Sequence, residues 1–135
     1  MNWDFKWFKG KFPQQGALLA TSIKQIGKSL NLYKINEVFE SLQGEGSYTG
    51  LPSIFVRLQG CPVGCPWCDT KHTCVVSPEL NTTSDLVMAE TTESGSWFEH
   101  TTQQLLDLFN QYGYVAKHIV ITGGEPCLYD LTEIT

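Results

Sequence analysis

Three thiols fall within eight residues of this chain, Cys61-Pro62-Val63-Gly64-Cys65-Pro66-Trp67-Cys68, separated by three and then two other residues. Soft thiolates at that density suit zinc or an iron–sulfur cluster. A closed structural zinc site takes four ligands, usually as two cysteine pairs, and ferredoxin-type clusters also use four cysteines. Only three are grouped here, with His72 and Cys74 as candidates for a fourth. On a four-iron cluster, three thiolates would leave one iron open to a small molecule. Pro62, Gly64 and Pro66 make the segment a loop, which argues against three buried, unligated cysteines. A second stretch, Ile121-Thr122-Gly123-Gly124-Glu125-Pro126, follows an apolar run; taken alone it reads as an ordinary tight turn.

These segments need elements to hold them. Residues 35–42 read as a strand ending at the polar, glycine-flanked Gln43-Gly44-Glu45-Gly46. Residues 53–59 alternate, with Ile54, Val56 and Leu58 on one face and Phe55, Arg57 and Gln59 on the other, which is a strand's period of two. That strand stops at Gly60, directly before the cysteine loop. Residues 75–100 are rich in Thr, Ser and Glu with weak periodicity, and read as a long connection with a helical turn or two around residues 84–90. Thr101 and Gln104 have capping-box spacing, and Leu105, Leu108, Phe109 and Tyr112 follow at helical intervals up to Gly113. Residues 117–122 form an apolar run of the kind found in strands buried on both faces. Strand, cysteine loop, helix, strand and glycine loop describe a βαβ unit with a parallel sheet. No internal repeat is visible. Residues 1–32 carry no chemical motif and read as an extension outside the main domain, with a possible short helix over residues 17–30.

The remaining composition narrows the class. The chain has 135 residues, 9 Lys plus Arg against 14 Asp plus Glu, and a formal net charge of −5. An acidic balance argues against nucleic-acid or anionic-membrane binding, which draws on clustered cations. No apolar run approaches the ~20 residues that span a bilayer, and the N-terminal residues show neither the apolar centre nor the small-residue cleavage site of a secretory signal. The expected compartment is therefore a reducing cytoplasm, where grouped cysteines read as metal ligands or redox groups before disulfides. Cys74 and Cys127 lie outside the grouped three and read as packing thiols.

The three-cysteine spacing after a strand, with an aromatic before the last cysteine, resembles the radical S-adenosylmethionine (SAM) enzymes. The resemblance implies that Cys61, Cys65 and Cys68 hold a [4Fe–4S] cluster whose open iron chelates SAM, and that electron transfer cleaves SAM to methionine and a deoxyadenosyl radical. Gly123-Gly124-Glu125-Pro126 resembles that family's segment for the amino end of SAM, where glycines let backbone approach a ligand closely. The match tightens over residues 35–39, 41–46, 57–61 and 67–72, which together resemble the 7-carboxy-7-deazaguanine synthase family from about Tyr33 onward.

That resemblance implies conversion of 6-carboxy-5,6,7,8-tetrahydropterin to 7-carboxy-7-deazaguanine with loss of ammonia, in queuosine biosynthesis. It implies substrate contacts at Leu42, Gln43, Gly44, Arg57 and Thr122, SAM contacts at Trp67, Cys68, Asp69 and Gly124, and Mg²⁺ on Thr70. A planar guanidinium at Arg57 suits bidentate grip of the substrate carboxylate; a surface or salt-bridged arginine is the plainer alternative. Mg²⁺ keeps waters and borrows substrate ligands, so a single hydroxyl suffices from the protein. Glu45 is a further candidate for the pterin edge, while Asp69 and His72 could simply hold the cysteine loop. The implied fold is α/β, an incomplete parallel (β/α) barrel. Residues 33–135 form its front half, because the chain ends soon after the glycine segment. Implied partners are an electron donor of flavodoxin or ferredoxin type and a second copy in a homodimer. Alternatives are another radical SAM enzyme such as a glycyl-radical activase, a small metal-binding module using Cys74 or His72, or an inactive fragment.

Overall fold

Alternating residues produce the strands, and the length of each connection decides how they pair. The computed structural model describes residues 31–90 and 93–135, so the suggested helix over residues 17–30, and all but the last two residues of the 1–32 extension, lie outside the described part. Four strands, β1 (Tyr33–Leu42), β2 (Pro52–Leu58), β3 (Phe98–His100) and β4 (His118–Thr122), are joined with two helices, α1 (Ser84–Ala89) and α2 (Thr102–Gln111). They form one sheet in the order β3-β1-β2-β4.

The sheet is mixed, which corrects the expectation of a parallel one. β2 and β4 pair in parallel, as the βαβ reading requires, but β1 runs antiparallel to both β2 and β3. The cause is the short connection over residues 43–51. A parallel crossover needs a dozen or more residues, whereas this loop turns straight back. Gln43 N–H donates to Leu51 O at 2.9 Å and Gly50 N–H to Gln43 O at 2.7 Å, closing a hairpin.

One face of the sheet carries the core. Ile35, Val38, Ile54, Val56 and Leu58 are buried there with Tyr33 and Phe98, and Val87 of α1 and Leu105, Leu108 and Phe109 of α2 join them. The capping box forms as its spacing predicts: Gln104 N–H donates to Thr101 Oγ1 at 3.3 Å, and Thr101 N–H donates to Gln104 Oε1 at 2.9 Å. Gly113, at φ +70°, ends the helix in the left-handed region open to glycine.

Two expectations need correction. β4 is not buried on both faces. It lies at the sheet edge, and all five of its residues keep intermediate exposure. The supposed connection over residues 75–100 contains β3, whose three residues are too few to show a period. Trp97, which carries no signal in the sequence, is buried beside β3 and donates its ring N–H to Ser77 O at 2.9 Å.

Candidate functional site

Because β2 and β4 are parallel, with Arg57 opposite Thr122, the cysteine loop and the glycine turn leave the sheet side by side. Ligands in α/β sheets gather outside such carboxyl ends. The hinge between the two loops is Gly60, held at φ +103°. Its N–H donates to Thr73 O at 2.7 Å, at the far end of the cysteine loop, and its carbonyl accepts Glu125 N–H from the glycine turn at 2.8 Å. Gly124, at φ +39°, sits so close that a Cβ would lie 2.5 Å from Gly60 O and 2.8 Å from Leu58 O.

Two residues that carry no sequence signal hold this arrangement. The buried Thr73 hydroxyl accepts Gly124 N–H at 3.0 Å and donates to Thr70 O at 2.8 Å, tying the glycine turn to the cysteine loop. The buried Gln59 amide donates to His72 O and Val75 O at 3.2 and 2.7 Å, and Tyr129 Oη donates to Gln59 O at 2.5 Å. Burial raises the Tyr129 hydroxyl above the usual tyrosine range. Replacing Thr73 with valine keeps its shape but strands Gly124 N–H, while Thr70 O keeps Thr73 N–H. It should lower unfolding free energy by about 2 kcal/mol, measured by urea denaturation, while Thr73→Ser should stay close to the parent.

The face of the sheet opposite the core carries the row Glu37, Arg57 and Thr122, aligned by register across three strands. Arg57 Nε donates to Glu37 Oε2 at 2.9 Å, so the salt-bridged alternative for this arginine is realised. Beside it, Phe39 and Phe55 stack with ring centroids 5.0 Å apart. Arg57, Glu37 and Phe39 line a cavity of about 180 Å³ together with Thr70 and His72. Thr70 Oγ1 in turn lies 3.8 Å from Cys68 Sγ. The structure thus brings Arg57, Thr122, Thr70, Cys68 and Gly124 to one end of the sheet.

Other residues singled out in the sequence are elsewhere. Leu42 pairs with Pro52, five register positions from the Glu37–Arg57 pair, roughly 17 Å at ~3.4 Å per residue. Gln43 and Gly44 follow it, so all three sit at the opposite end of the sheet. Trp67 is 84% exposed, and Asp69 is exposed. Cys127 is exposed too, which corrects its reading as a packing thiol. Cys74 is half-buried; burial first, then the charges of the neighbouring Cys68 and Cys61, push its thiol up from the usual range. Cys61 N–H donates to Cys74 O at 3.0 Å.

The donor set fits a soft metal cluster. Cys61, Cys65 and Cys68 are free thiols of intermediate exposure, on a loop that Gly64 turns at φ +65°. Among the described residues their side chains are not gathered into a ready-made group of three metal donors. No helix among the described residues is long and apolar enough to cross a membrane.

Fold and site together define a mixed α/β protein that carries a three-thiol loop against a glycine turn, at the carboxyl ends of two parallel strands. No protein-family model matches the chain. It is 52% identical over 103 residues to the 7-carboxy-7-deazaguanine synthase of Escherichia coli K12, covering 76% of this chain and 46% of that protein. Against the synthase of the same name from Buchnera aphidicola, identity is 48% over 103 residues, and from Aquifex aeolicus 42% over 103 residues. The crystal structure of QueE from Escherichia coli superposes with a TM-score of 0.72 at 52% identity, covering 74% of this chain and 44% of that one. Over the 103 aligned residues the chain is a homologue of the 7-carboxy-7-deazaguanine synthases. It spans less than half the length of the curated relatives it matches.

Proposed function

We propose that the chain carries out 7-carboxy-7-deazaguanine synthase chemistry, converting 6-carboxy-5,6,7,8-tetrahydropterin to 7-carboxy-7-deazaguanine with loss of ammonia, in queuosine and related 7-deazapurine biosynthesis. The observation that carries the reading is the junction at Gly60, where the three-thiol loop and the glycine turn are hydrogen-bonded to one residue, three positions beyond Arg57. In this proposal Cys61, Cys65 and Cys68 hold a [4Fe–4S] cluster, and Gly124, Trp67, Cys68 and Asp69 contact SAM. Bound together, cluster and SAM supply the radical that removes a hydrogen from the pterin.

The chain's own residues bind and orient. Arg57 takes the pterin carboxylate through its terminal nitrogens, Thr122 lies in register beside it, and Thr70 lines the same cavity as the Mg²⁺ ligand. Leu42, Gln43 and Gly44 belong to the substrate site only if their loop reaches it in the bound state. An incomplete parallel (β/α) barrel extending from the β2–β4 pair, a flavodoxin- or ferredoxin-type electron donor, a homodimer and a cytoplasmic setting complete the proposal.

The test is anaerobic reconstitution of the full chain with iron and sulfide. Incubation with the carboxytetrahydropterin, SAM, Mg²⁺ and a low-potential reductant follows, with product detected by chromatography. Product that requires SAM is the expected result, and none under any loading contradicts the reading. A second reading, a small metal-binding module with four thiols, is favoured by one observation, the backbone hydrogen bond from Cys61 N–H to Cys74 O that sets Cys74 beside the cysteine loop.

A further inference from the structure

We infer that Glu37 and Gly123 are positioning residues for Arg57, fixing its guanidinium so that its terminal edge meets a carboxylate-bearing ligand in the cavity beside it. The inference rests on the reading of Arg57 as the substrate's carboxylate grip. Glu37 stands directly opposite Arg57 across β1 and β2 and takes its Nε–H at 2.9 Å. A guanidinium offers two edges for paired hydrogen bonds, one through Nε and one through its terminal nitrogens. With Glu37 on the first, the second is left for a ligand.

Gly123 fixes the stem. It is held at φ +67°, and a Cβ there would collide with Arg57 Cγ and lie 2.9 Å from Cδ and 3.0 Å from Cβ. The arginine's methylene chain therefore occupies the space that any other residue at position 123 would fill. Arg57 is clamped from both sides, its head by β1 and its stem by the glycine turn, with its side chain 19% exposed. Among the described residues no other Arg and no Lys lines the cavity, whereas Glu37, Glu90 and Glu93 do. A carboxylate entering it has one fixed cation to meet, and the orientation of that cation decides the fit.

The measurement is the affinity of the full chain for 6-carboxypterin and for pterin lacking the carboxylate, read by the ligands' own fluorescence. The parent should prefer the carboxylated ligand, and Arg57→Ala should erase that preference. Glu37→Ala should weaken 6-carboxypterin binding roughly tenfold, the size of one charge-assisted hydrogen bond, and leave pterin unchanged. Glu37→Gln, which keeps an acceptor for Nε–H, should stay within about twofold of the parent. Gly123→Ala should reproduce the loss, and add nothing to Arg57→Ala if it acts through that side chain.

If Glu37 merely competes for Arg57's charge, both Glu37 variants will bind 6-carboxypterin at least as tightly as the parent. That result, with Arg57→Ala still erasing the preference, overturns the positioning role and leaves the Arg57 reading standing. A parent with no preference removes both.

Discussion

Gly124→Ala should destabilise the chain by about 3 kcal/mol, and urea denaturation should show it as a lower midpoint with an unchanged slope. The added methyl would fall 2.5 Å from Gly60 O and 2.8 Å from Leu58 O, both backbone atoms at the end of the central strand β2. Neither can rotate aside, so the glycine turn itself must move. Overpacking of this kind typically costs about 1–3 kcal/mol, and alanine adds about 1–2 kcal/mol for adopting a left-handed conformation; Gly124 sits at φ +39°. For a domain with ~5–15 kcal/mol of stability that is a large fraction. The same displacement would break the Glu125–Gly60 and Gly124–Thr73 hydrogen bonds that register the two loops.

Serine at any one of Cys61, Cys65 or Cys68 should abolish stable cluster binding, read as loss of the brown chromophore and of iron and sulfide after anaerobic reconstitution. A hydroxyl is a hard, weakly acidic ligand in place of a soft thiolate, and with three thiolates in the loop none is spare. Cys127→Ser should load normally, since that thiol is exposed on the turn after the glycines. Cys74→Ser decides between the two readings of the site. The synthase reading expects the cluster to form without Cys74, whereas a four-thiol module loses its metal when its fourth thiol is removed.

How much of this is legible in the residues depends on the range of the interaction. β1, β2 and β4 emerge within two residues of their expected ends, and the Thr101–Gln104 capping box forms as read, because alternation and capping are local. The sheet's handedness of pairing is less local. The short turn over residues 43–51 permits only an antiparallel return, whereas the βαβ pattern further along speaks only for the β2–β4 pair. β3 is three residues long, too short for periodicity.

At the site, the cysteine spacing and the glycine turn are visible as motifs, but their junction is not. Thr73 is one threonine among many until its hydroxyl is seen between Gly124 and Thr70. The alternation that places Arg57 on the face opposite Val56 is legible. Its pairing with Glu37 depends on register across a hairpin with a bulge between Ile35 and Glu37, which strand patterns do not reveal.

The central claim is that this chain builds a cluster with one iron open to SAM. Electron paramagnetic resonance of the reconstituted, reduced 135-residue chain, recorded with and without SAM, tests it most directly. A [4Fe–4S]⁺ signal that changes when SAM is added, lost in Cys65→Ser and retained in Cys74→Ser, is the expected result. A signal indifferent to SAM, or one that vanishes with Cys74, would contradict it.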